Sequence, residues 1–413
     1  MKIFYNKNKK VTYLDYAALA PIDPKIAKEM ALFQLSSFGN PSAIHGSGVK
    51  VHNTIEDARK KIADLLFAHS DEIIFTGSGT ESDALAIMGV VRSYKGLSAQ
   101  AGKGKPHIIT SVIEHSAVLD NCKMLEERGE AEVTYVKVDA RGTVDLKEIK
   151  SSLKENTVLV SIMYANNEIG AIQPIMEIAK IVRHARKANN SKFPLFHSDA
   201  CQAMNYLFTE NIEKLGVDLL TFNSSKIYGP QGVGVLYKKR GVNISPLYAG
   251  GGQEFGLRSG TENTVAIVGA ARALEETNKI KEKESERLTE LRDYGIDILL
   301  SFSGVSGYEL ILNGDKVNRL PNNINISISG ISSELLVIEL DAKGIQVSAK
   351  SACKSDEPDE SYVISALREA QGIRPNSTDG SLRISLGRQT KKSDIDSLVV
   401  ALIEILKKYK EWK

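Results

Sequence analysis

The feature that most constrains the fold is an alternation of strand-like and helical patterns through the first half of the chain. Short apolar runs lie at residues 72–75, 107–110, 133–138, 158–162, 195–197, 219–222 and 233–237, with longer helical patterns between them. Such alternation is typical of βαβ units, which build a mainly parallel sheet. The sequence therefore predicts an α/β domain with a seven-stranded, mainly parallel sheet. Ligands of such sheets bind beyond the carboxyl ends of the strands.

The second half of the chain predicts a smaller α+β domain. A helical pattern at residues 265–300 precedes predicted strands at 323–329, 346–348 and 383–385, and an amphipathic helix is predicted at 395–409. With 413 residues, 42% of them hydrophobic, the chain can bury more than one core. We predict a large domain of residues 16–262 and a small domain formed by residues 1–15 and 263–413.

Composition excludes several classes of function. The net charge of +2 gives no basic excess for nucleic-acid binding. No run approaches the ~20 apolar residues of a membrane span, and the first residues lack an apolar signal core. Three cysteines do not make a disulfide framework, which favours a reducing compartment. We expect a cytoplasmic protein without a nucleic-acid partner, a membrane partner or a metal site.

Lys226 is the strongest candidate for a catalytic residue. It follows the apolar run at residues 217–222 and precedes the turn-forming pair Gly229-Pro230. A partly desolvated lysine can be neutral and attack a carbonyl carbon, so this position suits the covalent anchor of pyridoxal 5'-phosphate. The alternative is a surface lysine at the end of a strand.

A second candidate is the glycine-rich turn that contains Gly79 and Thr80. The turn lies between a predicted strand and a predicted helix, so free backbone N–H groups and the positive end of the helix dipole would face a phosphate. A different interpretation needs no ligand, because Thr80 and Asp83 have the spacing of a capping box.

Three further polar residues follow predicted strands. Asp199 ends one of them, where a carboxylate can pair with a protonated pyridine nitrogen, although such an aspartate can also cap a helix. Gln202 follows one helical turn later and could donate to the phenolic oxygen of the ring. His115 follows the strand at 107–110, where its flat ring could stack on a cofactor or simply occupy a loop.

The joint order of these residues closely resembles the cysteine desulfurases, which are pyridoxal phosphate enzymes of the class V aminotransferase group. The resemblance runs from residues 13–18 through 39–42 to 382–388 and so covers nearly the whole chain. It is closest to the nitrogenase and housekeeping iron-sulfur type. This resemblance implies a fold-type I pyridoxal phosphate-dependent transferase.

The resemblance also implies roles for individual residues. Lys226 would anchor the cofactor, His115 would stack on its ring and act in catalysis, and Asp199 would hold its ring nitrogen. Contacts to the pyridoxal oxygen would come from Asn167 and Gln202. The phosphate would be bound by Gly79, Thr80, Asn223 and Ser225, and by Thr261 from the neighbouring subunit of a homodimer.

Arg383 is a candidate for binding the substrate. It lies on a predicted strand of alternating character, so we expect its side chain to be displayed. A guanidinium group binds carboxylates in bidentate fashion, and we assign Arg383 together with Asn167 to the substrate. The alternative is a solvated charge on an edge strand.

Cys353 distinguishes the resembling family from ordinary transaminases. It lies in a polar stretch at residues 348–358, where Lys350 and Lys354 would lower the pKa of its thiol while Asp356 and Glu357 oppose them. The resemblance implies that Cys353 attacks the sulfur of bound L-cysteine and leaves alanine and a persulfide. Cys122 and Cys201 fit small core residues better.

The expected function is therefore sulfur delivery to a sulfur-acceptor protein, either a scaffold for iron-sulfur cluster assembly or a tRNA-thiolation protein. Two alternatives stay open. A selenocysteine lyase or an aminotransferase would keep the cofactor without needing Cys353. A non-catalytic scaffold that binds a sulfur acceptor would need neither the cofactor nor Cys353.

Overall fold

The computed structural model describes residues 11–98, 104–304, 307–349, 361–373 and 379–410. The strands are β1 (Thr12–Tyr13), β2 (Ile73–Thr76), β3 (His107–Ser111), β4 (Glu132–Val136), β5 (Thr157–Ser161), β6 (Leu195–Asp199), β7 (Leu219–Asn223), β8 (Gly234–Lys238), β9 (Leu310–Leu312), β10 (Asn323–Ile328), β11 (Ile345–Gln346) and β12 (Gly380–Ser385). The helices are α1 (Pro24–Ser36), α2 (Gly46–Leu66), α3 (Gly79–Ser98), α4 (Ser116–Glu127), α5 (Leu146–Ser152), α6 (Ile175–Ala188), α7 (Ile212–Leu215), α8 (Thr264–Ser301), α9 (Ser333–Ala342), α10 (Tyr362–Gln371) and α11 (Lys392–Lys410).

The seven strands predicted in the first half form one sheet, in the order β2-β8-β7-β6-β5-β3-β4. Strands β4, β3, β5, β6 and β7 pair in parallel, and β8 runs antiparallel to both of its neighbours. The predicted mainly parallel sheet is thus confirmed. The carboxyl ends of the parallel strands meet at one edge, where β6 and β7 deliver Asp199 and Asn223.

Helices cover both faces of this sheet, which explains why its strands read as continuous apolar runs. On one face, side chains such as Ile74 and Ile108 pack against Leu85 of α3 and Val118 of α4. On the other face, side chains that include Phe196 pack against α2, α6 and the first half of α8. The apolar cores therefore fix the position of α3, whose first residue faces the functional edge of the sheet.

The second half of the chain builds a separate core around an antiparallel sheet in the order β12-β10-β9. This core includes residues of α9, α11 and the end of α8. Helix α8 contributes to both cores, with Leu274 in the large one and Ile296 in the small one. The division at residues 262/263 stays a prediction, and α8 is the element that joins the two cores.

The first described strand belongs to the small core, because β1 pairs in parallel with β11 and Asp15 bridges to Ser385. The chain then runs on to the edge of the large sheet. No helix among the described residues has the length and apolar character needed to cross a bilayer. These residues also contain no cluster of His, Cys, Asp and Glu side chains arranged to hold a metal ion.

Candidate active site

A cavity of about 150 Å³ lies where β6, β7 and the beginning of α3 meet. Its lining includes most of the predicted site residues: Gly79, Thr80, His115, Asn167, Asp199, Gln202, Asn223, Lys226 and Arg383. Residues that sequence reasoning did not place here also line it: Ala17, Ala18, Asp83, Met163, Ala165 and Cys201. The structure therefore brings residues from distant parts of the chain to one cavity.

Lys226 reaches this cavity from a short 3₁₀ turn, Ser224–Lys226, that directly follows β7. The side chain of Asn223 begins the turn by accepting a hydrogen bond from the backbone N of Ser225 at 3.1 Å. The Nζ of Lys226 donates to the carbonyl oxygen of Ala17 at 2.9 Å and to that of Ala18. This placement in the cavity wall contradicts the alternative of a surface lysine.

The glycine-rich turn leads into α3, whose N-terminus faces the cavity at Gly79 and Thr80. A side chain at Gly79 would place its Cβ 3.1 Å from Cys201 Sγ and 3.4 Å from Asn223 Cβ, so the close approach favours glycine. Ser78 begins the helix, because its Oγ accepts from the backbone N of Glu81 at 3.1 Å. The remaining N–H groups of the first turn suit an anion.

The alternative of a capping box formed by Thr80 and Asp83 is not realised, because α3 already begins at Gly79. The side chain of Asp83 is 1% exposed and lines the cavity, with Oδ1 3.6 Å from Nε2 of His197. Burial, together with the nearby carboxylate of Asp199, raises the pKa of Asp83 well above its usual value. Burial lowers the pKa of His197 to about 4, so a neutral imidazole lies between Ser161 and Thr221.

Asp199, Gln202 and His115 each form a hydrogen bond to the main chain at the cavity wall. Asp199 ends β6, and its Oδ1 accepts from the backbone N of Cys201 at 2.8 Å. Gln202 donates from Nε2 to the carbonyl oxygen of Ala17 at 2.9 Å. His115 precedes α4, and its Nδ1 accepts from the backbone N of Ala117 at 3.1 Å. These bonds orient polar side chains toward a shared space.

Arg383 is buried in the cavity wall, with 1% of its surface exposed. Its Nη2 donates to Asp15 Oδ1 at 2.8 Å, and its Nη1 donates to the carbonyl oxygen of Asn167 at 3.2 Å. The prediction of a displayed side chain was wrong, as was the alternative of a solvated charge, although β12 is the outer strand of its three-stranded sheet. The reason is that the segments at Asp15 and Asn167, which are distant in sequence, lie against the guanidinium group.

Three buried polar atoms around the cavity have no protein partner: Asp83 Oδ1, Asn167 Oδ1 and Arg383 Nε. All three residues line the cavity. Buried polar groups of native proteins are normally hydrogen-bonded, so these atoms indicate a polar ligand. The residues fit pyridoxal phosphate, because a helix N-terminus, a strand-end carboxylate and a lysine amine can meet its phosphate, ring nitrogen and carbonyl carbon.

Two predicted site residues lie elsewhere, and the position of a third is not described. Ser225 is the buried middle residue of the turn. Its carbonyl oxygen accepts from the backbone N of Ala20 at 3.1 Å, and it is absent from the described lining of the cavity. Thr261 is exposed and lines a neighbouring cavity of about 170 Å³ together with Gly77 and Arg258. Cys353 lies outside the described residues.

The other two cysteines differ from each other. Cys122 is fully buried in the apolar core beneath α4, as predicted. Cys201, also predicted as a core residue, instead lines the cavity beside Asp199. Burial, and the nearby Asp199 carboxylate, raise the pKa of the Cys201 thiol well above its usual value. Because the thiolate is the nucleophilic form, Cys201 is a poor nucleophile.

Sequence reasoning found the residues that end strands and the turn that opens α3, but it missed Asp83 within that helix and the segment at Ala17 and Ala18. Asp83 had been considered only as a helix cap, although it follows Thr80 in the same helical turn. Ala17 and Ala18 act through their carbonyl oxygens, so their side chains gave no signal. Their place in the resembling segment at residues 13–18 was the one available indication.

Comparison with known proteins gives a consistent result. Residues 12–398 match the aminotransferase class V family. The chain is 44% identical to the cysteine desulfurase IscS of Dictyoglomus turgidum over 414 residues, which covers 98% of both chains. It is 41% identical to cysteine desulfurase IscS 1 of Archaeoglobus fulgidus over 396 residues, which covers 96% of this chain and 97% of that protein.

Solved structures agree with the sequence relatives. A NifS-like protein superimposes with a TM-score of 0.84 at 35% identity, and the match covers 96% of this chain and 99% of that one. The structure of SspA in complex with cysteine gives a TM-score of 0.72 at 32% identity and covers 91% of this chain and 98% of that one.

Proposed function

The chain belongs to the cysteine desulfurases of the class V aminotransferase family, and we propose that it converts L-cysteine to L-alanine with Cys353 as the sulfur acceptor. The observation that carries the proposal is the convergence of Lys226, Asp199 and the N-terminus of α3 on one cavity that also contains the buried guanidinium of Arg383. An ordinary surface cleft would not bury an arginine whose Nε has no partner.

Pyridoxal phosphate is the proposed cofactor, and when bound it supplies an electron sink for charge that develops at the substrate's α-carbon. Gly79 and Thr80 would hold its phosphate at the N-terminus of α3, and Asp199 would hold its ring nitrogen. His115, Asn167 and Gln202 would flank the ring. Lys226 would be both the covalent anchor and the group that moves a proton at the α-carbon.

Ala17 and Ala18 would hold the amine of Lys226 by hydrogen bonds when it is not bonded to the cofactor. Their carbonyl oxygens accept from Nζ, so the segment at residues 17–18 can hold the lysine as an ammonium ion within the cavity. This placement keeps the amine within reach of a bound substrate. It also links the proposed catalytic lysine to the segment that carries Asp15.

Arg383 would bind the carboxylate of the substrate. Its guanidinium is already oriented by Asp15 and by the carbonyl oxygen of Asn167, while its Nε has no protein partner. An orienting contact of this kind reduces the conformational entropy that the side chain loses on binding. One relative, SspA, has been solved in complex with cysteine, which favours L-cysteine as the substrate here.

Cys353 would receive the sulfur. Its thiolate attacks the substrate sulfur and forms an S–S bond, while the substrate's C–S bond breaks and the carbon takes a proton to give L-alanine. The products are alanine and a persulfide on Cys353, so no external oxidant or reductant is needed for this step.

The described residues on either side of Cys353 support its assignment as the sulfur acceptor. Ser348 bridges to Arg383, and the carbonyl oxygen of Ala349 accepts from Ser381 Oγ at 3.1 Å. On the other side, Ser361 Oγ donates to Glu168 Oε2 at 2.5 Å, next to Asn167. Cys353 is four residues from Ala349, a distance that an extended chain spans in at most about 14 Å. The described residues that flank this segment are thus tied to Arg383 and to the neighbour of Asn167, two residues of the cavity wall, which supports the assignment of Cys353.

A homodimer and an acceptor protein complete the proposal. Thr261 is exposed and lies outside its own chain's cofactor cavity, so it is free to reach a second copy of the chain. Large exposed apolar side chains at the end of α1 and beyond it suit a subunit interface: Leu35, Phe38 and Ile44. The persulfide would pass to an iron-sulfur scaffold or a tRNA-thiolation protein in the cytoplasm.

The test measures three quantities: the visible absorption band of the bound cofactor, the alanine released from L-cysteine, and the mass of the peptide that contains Cys353. The purified protein with pyridoxal phosphate should show a visible absorption band, release alanine from L-cysteine, and gain the mass of one sulfur on the peptide containing Cys353 before reductant is added. Cys353→Ser should keep the band and lose both alanine release and the added mass. Lys226→Ala should lose the band and turnover, while its circular dichroism spectrum stays that of the wild type.

Other outcomes would point to the alternatives. Undiminished alanine release by Cys353→Ser, or sulfur found on Cys122 or Cys201, would make the protein a lyase with an incidental cysteine. Selenocysteine turnover that does not depend on Cys353 would favour a selenocysteine lyase. A colourless protein that binds no cofactor would indicate a non-catalytic scaffold.

A further inference from the structure

The segment at residues 250–263, here called the glycine loop, is fastened to its own subunit by a buried ion pair. Arg59 of α2 donates from Nη1 and Nη2 to the two carboxylate oxygens of Glu254 at 2.8 and 2.7 Å. The two side chains are only 4% and 1% exposed. Glu254 also accepts from the backbone N of Phe75 at 2.7 Å, so the pair fixes the loop to strand β2.

A second ion pair connects the glycine loop to Gly77, the first residue after β2. Arg258 donates from Nε to Glu81 Oε1 at 3.0 Å, and Tyr248 donates to the same oxygen at 2.9 Å. The other oxygen of Glu81 accepts from the backbone N of Gly77 at 2.6 Å. Each pair therefore joins one arginine, one carboxylate and one backbone N–H of residues 75–77, which lead into the turn at Gly79.

The backbone of the glycine loop is strained at the first ion pair, at Glu254 and at the residue that follows it. Glu254 and Phe255 have φ values of 49° and 57°, in the left-handed region that residues other than glycine rarely adopt. Such residues persist only where the surroundings hold them. The side chain of Phe255 is 58% exposed, so burial of its ring does not account for the strain. The ion pair at Glu254 does account for it, because it pins the first strained residue.

We propose that the Arg59–Glu254 and Glu81–Arg258 pairs are positioning groups, which hold the glycine loop so that Thr261 meets the phosphate of the partner subunit's cofactor. This inference rests on the proposed function and its homodimer. Thr261 shares a cavity with Glu254, Arg258 and Gly77, so both fastenings bear directly on its position. A buried ion pair is weak evidence of stability by itself, which favours a role in conformation.

The experiment uses hybrid dimers, prepared with two affinity tags, in which one subunit carries Lys226→Ala. Only the other subunit then forms the visible band of lysine-bound cofactor, and the rate at which this band disappears during dialysis reports on a single site. Glu254→Gln is placed either on the Lys226→Ala subunit, whose glycine loop would serve the reporting site, or on the reporting subunit itself. The two arrangements contain the same substitutions and differ only in their distribution.

We expect Glu254→Gln to accelerate cofactor loss about tenfold when it lies on the opposite subunit, as one misplaced charge-assisted hydrogen bond would. On the reporting subunit the acceleration should be several-fold smaller. Equal acceleration in both arrangements, a larger effect on the reporting subunit, or no effect in either would overturn the proposal.

Further variants control for folding and for the premise. Arg258→Gln tests the second pair at a side chain that is 25% exposed, and it should show the same bias toward the opposite subunit. Glu56→Gln is the matched control, because Glu56 binds Nε of Arg59 at 3.0 Å and should affect neither arrangement. Thr261→Ala tests the premise that Thr261 meets the phosphate of the opposite subunit's cofactor. If Thr261→Ala accelerates cofactor loss from the opposite subunit and Glu254→Gln does not, only the positioning role of the ion pairs is refuted. Absence of any band would refute the proposed function instead.

Discussion

Glu114 is a buried carboxyl group just behind the wall of the proposed cofactor cavity. Its Oε1 accepts from Ser111 Oγ at 2.6 Å, and both of its oxygens lie 3.0 Å from the backbone N of Met163. Its own carbonyl oxygen accepts from Tyr362 at 2.6 Å, which fixes the start of α10. Burial raises the pKa of Glu114 to about 8, so the group is mostly neutral at pH 7.

This raised pKa predicts a pH dependence of folding stability. An ordinary glutamate of the unfolded chain titrates near pH 4.5, whereas Glu114 in the folded protein keeps its proton up to about pH 8. The folded state therefore binds the extra proton, and its stability is full below pH 4.5 and falls as the pH rises to 8. Glu114→Gln should remove this dependence, which amounts to about 1.4 kcal/mol per pH unit within that window.

Urea unfolding of the holoenzyme at pH 5, 7 and 9 would measure the effect. Relative to the wild type, Glu114→Gln should gain stability as the pH increases from 5 to 9. Glu127→Gln, at an exposed position on α4, is the control and should show the same pH profile as the wild type. A constant difference between Glu114→Gln and wild type at all three values would mean that Glu114 titrates normally.

Glu114 and Asp83 also show where sequence reasoning about the site reaches its limit. Lys226, Asp199 and His115 were predicted because each follows an apolar strand, and parallel strands bring their carboxyl ends to one edge. The importance of Asp83 and Glu114 comes from burial, which depends on helices and strands that are distant in sequence. Arg383 was placed on the right strand with the wrong exposure, because the segment at Asp15 that covers it lies 368 residues away.

At the scale of elements, the 3₁₀ turn that carries Lys226 depends on its contact with α8. A Cβ added at Gly229 would collide with Ser224 Oγ and would lie 2.8 Å from Cβ of Ala273 in α8 and 3.1 Å from the carbonyl oxygen of Ser224. The turn and the helix can therefore approach this closely only with glycine at position 229. The carbonyl oxygen of Ser224 already accepts from the backbone N of Gly229 at 3.0 Å.

Gly229→Ala should therefore push the turn away from α8. We expect a loss of stability of about 1–3 kcal/mol, as for other overpacked sites. The visible band of the lysine-bound cofactor should also form more slowly, since Lys226 is displaced. Urea unfolding and the time course of band formation would measure the two effects. Gly46→Ala is the control, because a Cβ in this first residue of α2 would meet no atom within 4 Å. Wild-type behaviour of Gly229→Ala would show that the turn can relax without cost.

The pattern of elements was more predictable than their directions. All seven apolar runs became strands of one sheet, because helices cover both faces and most strand positions are therefore buried. The antiparallel direction of β8 was not predictable, because an apolar run reads the same for either direction. The extent of α8 as a single helix across two cores could be predicted from its periodicity, but its partners could not.

At the scale of the whole molecule, one short segment connects the small core to the proposed catalytic lysine. Thr12–Tyr13 forms β1 beside β11, Asp15 binds Arg383, and the carbonyl oxygens of Ala17 and Ala18 accept from Lys226. Any shift of the small domain against the large one must therefore move these contacts together. If Arg383 binds the substrate carboxylate as proposed, displacement of Asp15 would be transmitted to the carbonyl oxygens that hold Lys226 through only two or three residues of main chain.

The proposed homodimer predicts that cofactor retention depends on protein concentration. If each cofactor phosphate needs Thr261 from the partner subunit, then dissociation into monomers removes a hydrogen bond to a charged group, worth on the order of 1–3 kcal/mol. In a dilution series, analytical ultracentrifugation would give the dimer fraction, and dialysis at each concentration would give the rate of cofactor loss. We expect the rate to rise where the dimer fraction falls, and we expect Thr261→Ala to lose cofactor at the faster rate at every concentration. A monomer that retains its cofactor as well as the dimer does would contradict both the shared site and the role of Thr261.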